Sequence, residues 1–131
     1  MSVGLMIITH NHIGEDLLST ARSMMGTIPL DTYCLAVSQS GDPDVLLGKA
    51  IDAYHRLNQG DGVLVLTDMY GSTPSNIANR LTQHPKVQVI AGLNLPMLVR
   101  VLNYPTLRLH ELVNKAISGG HDGILLCETH S

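Results

Sequence analysis

The sequence predicts an α/β fold in which a doubly wound, mainly parallel sheet has four parallel strands plus an antiparallel edge strand, with helices on both faces. Apolar runs such as residues 3–9 and 63–67 are continuous rather than alternating, which is typical of strands covered on both faces. Segments with helical apolar spacing separate these runs, and such alternation favours right-handed crossovers between parallel strands. With 131 residues, we expect one domain over residues 1–131.

The elements follow from apolar runs and from the polar or small residues that end them. The expected strands cover residues 3–9, 33–37, 63–67, 87–91 and 123–127. A first helix should end near Gly26, and Asp42-Pro43 should cap and open a second helix. Three further helices are expected from Pro74, over residues 97–102 and from Leu109, the last stopped by Gly119-Gly120.

Composition excludes several classes of function. The 8 Lys and Arg residues and the net charge of −3 leave no basic run to follow a nucleic-acid backbone, so nucleic acid is not expected as a partner. No apolar stretch approaches the ~18 to 20 residues of a membrane span, and we expect a cytoplasmic protein. Cys34 and Cys127 lie in apolar runs without metal or redox spacing, which predicts buried free thiols.

Two polar residues end neighbouring strands of the predicted sheet. His10 follows the first strand and Asp68 follows the third. In an open parallel sheet, ligands bind at the carboxyl ends of the strands, where successive connections leave to opposite faces. If the first and third strands are neighbours, His10 and Asp68 should lie within hydrogen-bond reach. A carboxylate that holds one ring nitrogen leaves the other deprotonated and directed outward as a nucleophile.

The residues after Asp68 are suited to binding a phosphoryl group. A small-residue turn precedes Thr73-Pro74, which opens a helix, so backbone N–H groups around Gly71, Ser72 and Thr73 and the helix dipole should stabilise an anion there. The Thr73 hydroxyl could contact phosphate, cap the helix, or do both. Together with His10, this pattern predicts a histidine phosphoryl carrier.

Three motifs in these regions resemble one known family. The first strand ends in Thr9-His10, and residues 89–98 match Val-Ile-Ala-Gly-x-Asn-x-Pro-Met-Leu without a gap. Residues 68–74 correspond to the pattern Asp-x-x-Gly-Gly-Ser-Pro, with Ser72 at the second Gly and Thr73 at the Ser position. The chain thus resembles, over nearly its whole length, the mannose-type enzyme IIA proteins (mannose/fructose/sorbose family) of the bacterial phosphoenolpyruvate-dependent sugar phosphotransferase system.

The resemblance implies a set of roles and partners. His10 would accept a phosphoryl group from the phosphohistidine of HPr and pass it to a IIB domain or subunit, with Asp68 orienting His10 and Thr73 contacting the phosphate. Ser72 stands where the family usually has a second Gly, so a positive φ there would strain the turn. No cofactor is expected, because the phosphoryl group arrives already activated. Family members are usually homodimers, some of which exchange the last strand.

Other residues are assigned smaller roles at the site. Thr9 should help shape it, and Tyr70 should either cover the cleft or meet a partner. Asn94 and Pro96 could shape the site or simply form the turn and helix start after the fourth strand. His12, together with His10 and Asp68, could be read as part of a metal site. No further ligand follows at a recognisable spacing, so no metal is expected.

Alternative functions remain open from the sequence. Similar proteins serve as regulatory IIA components of incomplete phosphotransferase systems and in the phosphoryl relay of a dihydroxyacetone kinase. A non-catalytic binding domain of the same fold would tolerate His10→Ala. A hydrolase using Ser72, His10 and Asp68 is disfavoured, because the sequence lacks the GxSxG turn. The sequence does not name a sugar, since specificity would reside in a membrane component.

Overall fold

A computed structural model describes residues 2–129 of the chain. Within this range, four parallel strands form one sheet in the order β2-β1-β3-β4. The strands are β1 (Gly4–His10), β2 (Thr32–Val37), β3 (Val63–Thr67) and β4 (Val87–Ala91). The predicted parallel α/β architecture is confirmed, and the first and third strands are neighbours.

Five α-helices cover the two faces of the sheet. They are α1 (Ile13–Met25), α2 (Pro43–Leu57), α3 (Thr73–Arg80), α4 (Leu95–Leu102) and α5 (Leu109–Asp122). Residues of α2 and α3 pack on one face, and residues of α1, α4 and α5 pack on the other. Within residues 2–129, no helix combines the length and apolar character needed to cross a membrane.

The continuous apolar strands are explained by two cores, one on each face of the sheet. In β1, Met6 and Ile8 face the core shared with α2 and α3, whereas Leu5 and Ile7 face the core shared with α1, α4 and α5. All four side chains are fully buried. Because successive side chains of a strand point to opposite faces, a central strand must be apolar at every position.

Local signals set several helix boundaries. Gly26 ends α1 in the left-handed conformation at φ 86°, which glycine adopts at little cost. The Asp42 carboxylate accepts a hydrogen bond from the Asp44 N–H (2.9 Å), with Pro43 at the first helical position. These signals depend only on neighbouring residues, and the sequence therefore locates them well.

The last helix is longer than the sequence predicts. Gly119-Gly120 was expected to stop it, but α5 continues through both glycines to Asp122. A Cβ at Gly119 would lie 2.7 Å from the Arg100 Cβ. The glycines therefore allow α5 to pack closely against α4 instead of ending the helix.

The predicted fifth strand over residues 123–127 is wrong for the single chain. Residues 124–129 have no regular secondary structure, and Ile124, Leu125 and Leu126 are 75%, 79% and 84% exposed. Cys127 is likewise exposed rather than buried, whereas Cys34 is partly buried. Since α5 extends to Asp122, the apolar segment begins beyond the helix end, and it does not pair with any strand of its own sheet.

The connections create a switch point between β1 and β3. The chain leaves β1 towards α1 on one face and leaves β3 towards α3 on the other. The carboxyl ends of these two strands consequently border a crevice, which is the usual ligand position in open α/β sheets.

Two glycine substitutions should have opposite effects on stability. Gly48 is exposed inside α2 with no atom within 4 Å of an added Cβ, whereas a Cβ at Gly4 would lie 2.8 Å from the Leu57 carbonyl oxygen. In urea unfolding, Gly48→Ala should raise the free energy of unfolding by about 1 kcal/mol, and Gly4→Ala should lower it by about 1 to 3 kcal/mol. Equal effects of the two substitutions would contradict this packing.

Candidate functional site

The His10 imidazole and the Asp68 carboxylate meet at the switch point. The His10 Nδ1 lies 2.8 Å from the Asp68 Oδ2, and the His10 backbone N–H donates to the same oxygen at 3.1 Å. The side chains are 38% and 14% exposed, respectively. Because the carboxylate is an acceptor, the neutral ring carries its proton on Nδ1 and leaves Nε2 unprotonated, with a free lone pair.

The environment of Asp68 favours its ionised form. Partial burial raises the pKa of this carboxyl, but hydrogen bonds from the His10 side chain and backbone, together with the charge of a protonated ring, outweigh that effect. The pKa of Asp68 therefore lies below its usual value. A carboxylate that stays ionised can hold the ring in one tautomer and stabilise positive charge on it.

The turn after Asp68 is unstrained, and much of its hydrogen bonding is internal. Gly71 has φ 83°, whereas Ser72 is extended at φ −87°, so serine at position 72 meets no positive-φ constraint. The Gly71 N–H donates to the Ser75 Oγ at 3.3 Å, and the Ser72 N–H donates to the Met69 carbonyl at 3.3 Å. Two of the three predicted phosphate-binding amides thus already have partners.

Thr73 occupies a different helix position from an N-cap. The N-cap of α3 is Ser72, whose hydroxyl donates to the Met69 carbonyl (2.6 Å) rather than to the helix. Thr73 is the first residue of α3, is exposed, and lines a cavity together with His10. Among Gly71, Ser72 and Thr73, it is the residue that faces this space.

The His10 cavity also contains residues that the sequence analysis missed. It has a volume of about 320 Å³ and is lined by His10, Val37, Ser38, Gln39, Gly41, Pro43 and Thr73. Ser38 and Gln39 follow β2, which lies beside β1. The carboxyl ends of parallel strands lie at the same edge of a sheet. The position of Ser38 and Gln39 directly after the second strand could therefore have indicated, from the sequence, that they lie near His10.

Thr9 and Tyr70 occupy contrasting environments beside the pair. The buried Thr9 hydroxyl donates to the His10 carbonyl at 3.2 Å and accepts from the Gly14 N–H at 2.9 Å. It thereby ties the end of β1 to the start of α1. Tyr70 is 81% exposed and does not cover the cavity.

Asn94 and Pro96 lie away from the His10 cavity. The Asn94 Oδ1 accepts from the Met97 N–H at 2.9 Å and caps α4, while its Nδ2 donates to the Gly120 carbonyl at 3.2 Å. Pro96 packs close to Gly123, at the end of α5. The structure therefore accounts for both residues by their contacts between α4 and α5.

The described residues contain no metal-binding cluster around this pair. Within residues 2–129, no group of three or more His, Cys, Asp or Glu side chains is arranged to hold a metal ion. The His12 Nδ1 instead lies 3.1 Å from the Glu15 Oε2.

The fold and the His10–Asp68 pair define an open α/β domain that presents one oriented imidazole at its switch point. The chain belongs to the mannose-type IIA family of the sugar phosphotransferase system, because the family model described as "PTS system fructose IIA component" matches residues 4–117. This confirms the family resemblance of the sequence motifs.

Individual relatives agree with this assignment. The chain is 31% identical over 129 residues to the PTS system mannose-specific EIIAB component of Escherichia coli K12, covering 95% of this chain but 39% of that protein. The mannose/sorbose specific IIA subunit of the phosphotransferase system from Enterococcus faecalis superimposes with a TM-score of 0.89 at 22% identity, covering 100% and 98% of the two chains. The phosphotransferase system component EIIA from Streptococcus agalactiae superimposes with a TM-score of 0.79 at 22% identity, covering 94% of this chain and 95% of that chain. At these identities, the two structures establish the fold.

The hydrogen bonds to Asp68 should make stability depend on pH. Because the pKa of Asp68 is lowered on folding, its contribution is present above the usual aspartate pKa and is lost as the pH falls through the lowered value. Near neutral pH, the free energy of unfolding of the wild type should exceed that of Asp68→Asn by about 1 kcal/mol or less, since the pair is partly exposed. Urea unfolding should show this difference narrowing below about pH 4. A constant difference across the acid range would contradict the expectation.

Proposed function

We propose that this protein is a phosphoryl carrier of a sugar phosphotransferase system and that the His10 Nε2 carries the phosphoryl group. The observation that carries the proposal is the 2.8 Å contact between the His10 Nδ1 and the Asp68 Oδ2 at the switch point. IIA components of this family act as phosphotransferases, which supports the same conclusion.

The proposed step is a transfer between two imidazoles. The lone pair of the His10 Nε2 forms a new bond to phosphorus while the phosphorus–nitrogen bond of the donor phosphohistidine breaks, and its electron pair stays on the donor ring. The transition state is loose and spreads charge over three equatorial oxygens, so positioning and electrostatics dominate. Asp68 would fix the ring and balance its developing positive charge, while Thr73 and the N-terminal end of α3 would face the phosphoryl oxygens.

The proposed partners are HPr as donor and a IIB domain or subunit as acceptor. Near the paired side chains, Ile13, Met69 and Tyr70 are 45%, 59% and 81% exposed. Aromatic residues and methionine are enriched in protein–protein contacts, and these three side chains suit the surface of a carrier protein better than a small substrate. With these partners, the transfer would occur in the cytoplasm and require no cofactor.

The direct test is phosphorylation of the intact chain. After incubation with phosphoenolpyruvate, enzyme I and HPr, mass spectrometry at mildly alkaline pH should show an acid-labile, phosphate-sized gain in the wild type. His10→Ala should show none, and His12→Ala, which removes the neighbouring exposed imidazole, should retain it. Asp68→Ala should slow the gain by about 10-fold or more, as expected for loss of a positioning group.

The same phosphorylation experiment can also reject the carrier function. If phosphorylated HPr is present in the same tube but the wild type gains no phosphate, this chain is not the acceptor. A normal rate in Asp68→Ala would instead retain the carrier function and remove Asp68 from the mechanism.

We also propose that the protein forms a homodimer through its C-terminal apolar segment. Ile124, Leu125 and Leu126 are largely exposed, and β4 forms one edge of the sheet. An exposed apolar segment and an open strand edge both favour pairing with another chain. The segment of one copy would pair as a strand with the β4 edge of the second.

This dimer should be disrupted by charge in the segment. Light scattering should give a dimeric mass for the wild type and a monomeric mass for the double variant Leu125→Lys, Leu126→Lys, because burial of two unpaired ammonium groups is unfavourable. Ser23→Lys, on the exposed surface of α1, is the matched control and should remain dimeric. A dimer that survives the double variant would exclude this segment as its interface.

A further inference from the structure

Apart from the His10 ring itself, the His10 cavity has no cationic side chain to stabilise a bound phosphoryl group. None of its lining residues is Lys or Arg. The amides of Gly71 and Ser72 already donate within their own turn. Phosphoryl oxygens on the His10 Nε2 would therefore depend on other neutral donors around the cavity, of which Thr73 supplies one.

The loop after β2 places two such donors, the Ser38 hydroxyl and the Gln39 side-chain amide, on the lining of the cavity. The Ser38 Oγ lies 3.4 Å from the Ser40 Oγ, and when it accepts from Ser40 its own hydrogen is free to donate to an anion. In the β1–β2 ladder, the backbone of His10 is paired with that of Val37. Ser38 and Gln39 therefore follow directly after the β2 residue that lies beside His10. The Asn11 N–H donates to the Val37 carbonyl at 2.9 Å. This hydrogen bond joins the loop after β2 to the loop that follows His10.

The loop is held in place on its far side as well. The Gly41 N–H donates to the Ser38 carbonyl at 3.1 Å, closing a turn over residues 38–41. A Cβ at Gly41 would lie 2.9 Å from the Leu46 Cδ1, so the turn packs directly on α2. Asp42 caps the same helix through the Asp44 N–H. With the backbone fixed in this way, the short Ser38 side chain loses little further freedom when it binds an anion, whereas the longer Gln39 side chain loses more.

We infer that the Ser38 hydroxyl and the Gln39 side-chain amide bind the oxygens of the phosphoryl group on His10, across the cavity from Thr73. This inference rests on the carrier function proposed above and assigns two phosphoryl-binding residues in addition to Thr73 at the start of α3. Neutral donors stabilise the charge of the equatorial oxygens during transfer. They also hold the group less firmly than Lys or Arg would, since hydrogen bonds between charged partners are stronger.

The test uses two phosphoryl donors of very different size. Phosphorylated HPr requires a protein contact surface, whereas phosphoramidate is a small molecule that reaches the imidazole without one. Ser38→Ala should slow His10 phosphorylation by about 10-fold with both donors, because one hydrogen bond to a charged group is lost. Ser38→Thr, which keeps a hydroxyl, should restore most of the rate, and Gln39→Ala should also slow both reactions.

Controls separate this role from folding and from docking. Ser23→Ala removes an exposed hydroxyl that donates within α1 and should leave both rates unchanged, and equal urea midpoints would show that Ser38→Ala is folded. If Ser38→Ala slows only the HPr reaction, Ser38 is a docking residue and the inference is overturned. If both rates are normal while His10→Ala accepts nothing, the inference fails and the carrier function stands. If the wild type accepts from neither donor, both fail.

Discussion

The contact between His10 and Asp68 depends on the order of the strands. These residues are far apart in sequence, yet β1 and β3 are adjacent and parallel, with Ile8 paired to Thr67. Each polar residue therefore stands at the carboxyl edge of its strand beside the other. The packing of β1 into two cores keeps this register, because a shift by one residue would exchange side chains of different shape between two close-packed cores. The packing of the sheet therefore determines the geometry of the site.

Much of the fold and part of the site could be predicted because their signals are local. Strands β3 and β4 occupy the expected ranges, since polar or small residues flank compact apolar runs. The Asp42-Pro43 helix start depends on neighbours only. Strand–helix alternation, with the resemblance of the motifs, was enough to place His10 and Asp68 at one sheet edge, because parallel strands linked by helices leave few possible topologies.

The features that escaped prediction depend on tertiary contacts. Gly119 looks like a helix stop in sequence, but its small size serves the contact with Arg100 in a neighbouring helix. The sequence predicts a phosphate-binding amide at Gly71, but in the structure this amide donates to the Ser75 Oγ. Ser38 carries no motif of its own, and its place beside His10 follows only from the pairing of β2 with β1. In each case, the decisive neighbour is distant in the chain or set by the exact path of a turn.

The backbone N–H of His10 donates to the same Asp68 oxygen that faces the ring. The main chain therefore shares in anchoring the carboxylate, and this anchor is present whichever side chain occupies position 10. Removing the ring would leave an acceptor still in place, with an empty volume beside it. The reactive heterocycle is therefore separable from the strand edge that seats it, because the carboxylate keeps its backbone partner when the ring is absent.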